Sequence, residues 1–179
     1  PLQPEQHARV PVPHEQQGDG ALLLRLGLLY LAFGATFMVF GTFIVTSMVR
    51  EYGLSEAQAG QYWSWVGFFS VFSGVGFGAL SDRIGRKQGL ALVFLVQSTA
   101  YLLAGLKLGG VGLVFAIILY GSAVFAIPAI MAAAVGDYLG TARAAASFAT
   151  ITIFFAVGQA IGPAAAGLLA RLYGGFASA

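Results

Sequence analysis

The sequence predicts an all-α integral membrane protein with five transmembrane helices, and three observations carry that prediction. Hydrophobic residues make up 58% of the 179 and charged residues 9%, at a mean hydropathy of +0.82, a balance that a water-soluble core does not require. Five stretches, 26–49, 57–81, 88–106, 108–136 and 144–170, contain no Asp, Glu, Lys, Arg or His; each is near or above the roughly 20 residues that cross the hydrocarbon as a helix. Within them the apolar residues run continuously instead of alternating over segments of about 10 residues, which favours helices over a lipid-facing barrel.

Taken in order, residues 1–20 are polar, hold Pro1, Pro4, Pro11 and Pro13, and lack the apolar core and small-residue cleavage site of a signal peptide. They read as a disordered tail or linker. The first helix is expected at about 24–49. The second, at about 56–81, opens on Ser55 with Gln58 three residues later, a capping box, and carries Tyr62, Trp63 and Trp65, which suit an interfacial aromatic belt. The third is expected at about 88–107. In the fourth, at about 111–136, part of "LGGVG" (108–112) reads as loop and Pro128 should kink the chain, because proline removes a backbone donor and crowds the carbonyl four residues back. The fifth is expected at about 144–171.

Orientation follows from the retention of Lys and Arg on the cytoplasmic side. With five spans, Arg9, Arg25, Arg83, Arg86, Lys87 and Arg143 share one side, and Arg50, Lys107 and Arg171 the other. The expectation is a multi-pass protein of the inner or plasma membrane with a cytoplasmic N-terminus.

Composition also narrows the function. There is no cysteine or asparagine, both histidines (His7 and His14) lie in the tail, and no nucleophile elbow or metal-ligand cluster occurs, so an enzyme is not expected. Gly74, Gly76 and Gly78 are not a nucleotide-binding loop, since no strand precedes them and they fall inside a span. No cofactor, metal site or nucleic-acid partner is expected.

One short turn breaks the apolar pattern. In "GALSDRIGRKQG", residues 78–89, Asp82, Arg83, Arg86 and Lys87 crowd together. Asp82 closes the second helix, where the helix dipole disfavours an anion, so it needs a cationic partner, and Arg86 four residues on can be one. With its flanks this turn resembles the loop between the second and third helices of a major facilitator superfamily half, matched here by Gly78, Leu80, Ser81, Asp82, Arg83, Gly85, Arg86 and Lys87. The resemblance implies that the cluster is a conformational latch, that Asp82 caps a helix of the other half in one state, and that Arg86 pairs with an acid closing the fourth helix. Asp137, in "GDYLGTAR" (136–143) with Arg143 at its end, is that acid. "GQAIGPAAAG" (158–167) is similar to the glycine-proline motif of the family's fifth helix through Gly158, Gly162 and Pro163, but ends in Ala166 and Gly167 instead of paired glycines. Its small residues also suit close helix packing without any transport role.

The resemblance implies five helices of a six-helix half-bundle, secondary active transport of a small solute by alternating access, and a cavity bordered by the first, second, fourth and fifth helices with the third facing lipid. Tyr30, Tyr120 and Gln159 are the candidates to line that cavity, ahead of Gln97. With no ionisable residue inside a span, this segment offers no protonation site, and any coupling ion is left unidentified. The chain begins at Pro1 and reads as a piece of a longer protein lacking the sixth helix, its texture looking most like the second half of YbfB/YjiJ-type members. Its expected partners are the bilayer, the missing half and an unidentified small-molecule substrate. The rival reading is a membrane assembly module that transports nothing.

Overall fold

The computed structural model describes residues 19–173. Six helical segments follow one another: α1 (Asp19–Arg50), α2 (Glu56–Ile84), α3 (Arg86–Gly105), α4 (Gly109–Ala123), α5 (Ala126–Leu139) and α6 (Thr141–Tyr173). Among the described residues there is no strand. Five units are long and apolar enough to cross a membrane: α1, α2, α3, the pair α4 and α5 taken together over Gly109–Leu139, and α6.

The boundaries differ from the sequence expectation in a consistent way. Ionic residues mark where the uncharged runs stop, yet a helix continues past them into the interface, where long side chains reach water. Thus α1 starts at Asp19, inside the segment expected as tail, and α6 spans Thr141–Tyr173 in place of 144–171. The other tail residues, with Arg9, His7 and His14, lie outside the described residues. The capping box at α2 is complete: Gln58 N donates to Ser55 Oγ at 3.3 Å and Ser55 N to Gln58 Oε1 at 3.0 Å. α3 ends two residues before Lys107, whose φ of 51° lies in the left-handed region that terminates helices.

α1 packs along α6, α4 is seated between α2 and α3, and α5 touches α2, α3 and α6. The α1–α6 contact is a meeting of small residues. A Cβ at Gly162 would sit 2.5 Å from the Ala35 carbonyl oxygen, one at Gly158 would overlap the Leu31 carbonyl, and one at Gly34 would overlap the Phe155 carbonyl. Lipid tails provide no hydrophobic drive between helices, so such backbone-to-backbone approach is what holds them together. Pro163 leaves α6 unbroken, and Gly167, 3.9 Å from Phe43 by the same measure, is in ordinary contact.

Two buried clusters stack along the bundle. One gathers Tyr30 and Phe33 of α1, Val93 of α3, Ile127, Ile130 and Met131 of α5, and Ile151 of α6. The other gathers Phe40, Ile44 and Met48 of α1 with Leu113, Ile117 and Tyr120 of α4. Their border is the break between α4 and α5, at Val124 and Phe125. It falls four and three residues before Pro128, where the ring displaces the carbonyl at i−4 and the missing donor leaves that carbonyl unpaired.

Backbone groups freed in a dry interior must be paired by something else. Phe125 N donates to Ser73 Oγ of α2 at 3.0 Å, and Ala123 O accepts from Gln97 Nε2 of α3 at 3.2 Å. Ser73 and Gln97 are each 1% exposed. A lipid-facing third helix implies a peripheral Gln97; the structure instead turns it inward to the break. Gly74 of α2 stands in ordinary contact with the break, its would-be Cβ 3.5 Å from Phe125 O.

Two outcomes follow. Gly158→Ala should destabilise the bundle by about 1–3 kcal/mol, as overpacking does, whereas Gly76→Ala, with open space around it, should be neutral or stabilising; thermal unfolding in detergent measures both. Ser73→Ala should cost about 1–3 kcal/mol by stranding the Phe125 N–H, and Ser73→Thr should restore most of it in the same assay.

Candidate functional site

At one end of the bundle two turns of the same design lie side by side. α2 runs into α3 through Gly85, with φ 94°, and α5 runs into α6 through Gly140, with φ 83°. Both angles are in the region that glycine alone enters without strain. Each glycine N–H closes the preceding helix, Gly85 onto Ser81 O at 2.9 Å and Gly140 onto Gly136 O at 3.1 Å. An acid stands three residues before each glycine: Asp82 in "DRIG" and Asp137 in "DYLG". That repeat is readable in the sequence, but only the two turns lying together give it meaning.

Arg86, the first residue of α3, reaches into the space between the two acids. Its Nη1 is 2.5 Å from Asp82 Oδ1 and 2.7 Å from Ser81 Oγ, and its Nε is 2.7 Å from Asp137 Oδ2. The guanidinium's fork suits this, since separate N–H groups can serve separate carboxylates. Ser81 Oγ in turn donates to Gly78 O at 2.8 Å, which fixes the hydroxyl so that its lone pair faces Arg86. The Arg86 side chain is 16% exposed against 60% for Asp82 and 52% for Asp137, so the cation is sheltered while both anions meet solvent. Close approach of α3 to α2 is secured by Gly89, where a Cβ would stand 2.5 Å from the Ser81 Cβ.

The remaining motif residues are arranged differently. Arg83 and Lys87 are exposed, and Leu80 is half-buried. Arg143 does not join the Arg86 cluster: its Nη2 is 2.6 Å from Asp19 Oδ2, a pair that ties the start of α6 to the start of α1. Asp19 was not singled out by the sequence because it falls where the tail was expected to run. At the opposite end, Lys107 meets Glu51 at 3.2 Å and the Tyr52 hydroxyl donates to Ala104 O at 2.8 Å. Burial, and secondarily the Glu51 carboxylate, push the Tyr52 phenol above its ordinary pKa.

Of the three cavity candidates, Tyr120 lines a groove of about 510 Å³ between α1, α2 and the broken fourth span, together with Phe37, Trp63, Ser64, Ser70 and Phe125. Tyr30 is instead 4% exposed in a ring stack, 4.7 Å from Phe155 and 5.9 Å from Phe33. Gln159 is half-buried on α6. A second pocket of about 230 Å³ lies between α1 and α3, lined by Thr36, Phe40, Ser47 and Tyr101 among others. Among the described residues, no three His, Cys, Asp or Glu side chains gather to hold a metal ion.

No curated protein and no solved structure matches the chain. The family described as "Uncharacterised MFS-type transporter YbfB" matches residues 1–179, the full sequence. With five membrane-crossing helical units behind it, this multi-pass membrane chain belongs to the YbfB-type family of major facilitator superfamily transporters.

Proposed function

We propose that the chain is part of a secondary active transporter that moves a small solute by alternating access, and that the Arg86 cluster is the latch of one of its states. The observation that carries this reading is the seat of Arg86 between Asp82 and Asp137, contributed by two different spans at one end of the bundle. An ion knot across spans resists relative tilt, and it releases in discrete steps as each pair parts.

The magnitudes suit a switch. Charge-assisted hydrogen bonds reach about 1.5–3 kcal/mol, but solvent reaches Asp82 and Asp137, so about 1 kcal/mol per pair is the appropriate scale. Two such pairs bias a two-state equilibrium roughly thirtyfold, well short of the about 5.5 kcal/mol that separates 1:99 from 99:1. A bound solute can therefore offset the latch. A deeply buried knot would hold too firmly to cycle.

In this reading the latched end is cytoplasmic, because Arg83, Arg86, Lys87 and Arg143 cluster there and positive residues are retained inside. The membrane is the inner or plasma membrane. The missing partner is the opposing half, which supplies the other wall of the pathway.

The test uses the full-length protein in a host lacking related transporters, with uptake and efflux screened with and without a proton uncoupler. Once a transported solute is found, Asp82→Asn and Arg86→Ala should reach the membrane in normal amounts yet lower the rate at least tenfold, and Arg86→Lys, which keeps charge but loses the fork, should recover part of it. Wild-type rates in both of the first two variants would exclude the latch. Absence of any transport by the intact protein would favour an assembly module.

A further inference from the structure

The groove between α1, α2 and the broken fourth span has a chemical bias that the reading above leaves open. Two of its hydroxyls have their hydrogens already committed. Ser64 Oγ donates to Gln61 O at 2.7 Å and Ser70 Oγ to Gly67 O at 2.7 Å. Tyr120 OH makes a longer contact to Phe37 O at 3.5 Å. A hydroxyl carries one donor and two lone pairs, so what these groups offer inward is acceptor capacity.

The rest of the wall is aromatic or aliphatic. Phe37, Trp63, Tyr120 and Phe125 line it, and Trp63 sets the Cη2 edge of its ring beside Gly41. Thr42 and Trp63, the uncharged donors of the lining, complete the wall. Among the described residues, no Lys, Arg or His lines the groove. An anion there would give up hydration against the apolar wall and gain no counter-charge, a costly exchange. A hydroxyl or ammonium N–H, by contrast, finds lone pairs, and a cation also finds ring faces.

Phe125 has a particular place in this wall. It stands at the break, 51% exposed, with its backbone N–H held by Ser73. The break thus turns a helical residue into a projecting ring at the level where the two core clusters meet.

We propose that this groove binds an apolar small molecule that carries a hydrogen-bond donor, a hydroxyl or an amine, and no negative charge. The proposal rests on the transporter reading for its biological sense but not for its measurement, which detects binding alone.

Because the chain holds no cysteine, a single Met38→Cys in the full-length purified protein, with any cysteine outside these 179 residues replaced by serine, places one thiol on the groove wall, where monobromobimane can report occupancy. The same dye on Leu95→Cys, at an exposed position of α3, reports partition into the surrounding amphiphile and is subtracted. Four probes of one shape are titrated: naphthol, methoxynaphthalene, naphthoate and naphthylmethylammonium. Naphthol or naphthylmethylammonium should bind at least fivefold more tightly than methoxynaphthalene, as one hydrogen bond allows, and at least tenfold more tightly than naphthoate. Ser64→Ala with Ser70→Ala should erase the preference for naphthol over its methyl ether while leaving the ether's own affinity in place, an outcome that general loosening of the fold would not give. Equal binding of naphthoate, equal binding of the ether, or no groove-specific signal with any probe would overturn the proposal. Loss of the latch effect on transport with the probe ranking intact would count against alternating access alone.

Discussion

In a bilayer the backbone has no water to fall back on, and that single constraint shapes every feature of this chain. Each peptide group must find its partner within the protein, so the spans are helices, and any departure from helix needs a named side chain to repair it. The break at Val124–Phe125 is the sharpest instance. Pro128 causes it, and Ser73 and Gln97 make it tolerable by taking over one donor and one acceptor. At the membrane surface the same demand is met by glycine turns, where Gly85 and Gly140 close one helix and open the next within a single residue.

The constraint also sorts the chemistry by depth. Ionic pairs sit at the two ends: Arg86 with its two acids and Arg143 with Asp19 at one, Lys107 with Glu51 at the other. Between them the groove is lined by rings and committed hydroxyls. Charges at the surface exchange partners at modest cost because water is near, whereas a charge placed among apolar walls is costly unless it is paired. In the proposed reading, switching and recognition are separated in space, and the long helices that connect the two levels are the means by which one would bias the other.

How much of this was legible in the sequence depends on whether the signal was local. Five spans, the capping box at Ser55 and the disturbance around Pro128 were readable because each is set by a run or a spacing within one helix. The family likeness of the Asp82–Lys87 turn was readable for the same reason. The position of Tyr30 was not: it is a cavity candidate by sequence, yet the rings of Phe33 and Phe155 claim it, and which rings meet depends on how α1 lies against α6. Gln97 escaped for a related cause, since only the placement of α3 against α4 reveals that its amide faces a severed backbone. Arg143 was grouped with Asp137 by proximity in sequence, but the turn at Gly140 directs it to Asp19 across the α1–α6 seam.

That seam joins the first helix to the last described one. Gly34 and Phe155, whose backbones nearly touch across it, are separated by some 120 residues, and ribosomes add about 5–20 residues per second. For about 6–25 s of biogenesis, α1 stands in the membrane with its glycine-rich flank facing acyl chains, awaiting a neighbour not yet made. The interval sets a window in which the insertion machinery, or a companion helix, has to shield that flank from wrong pairings.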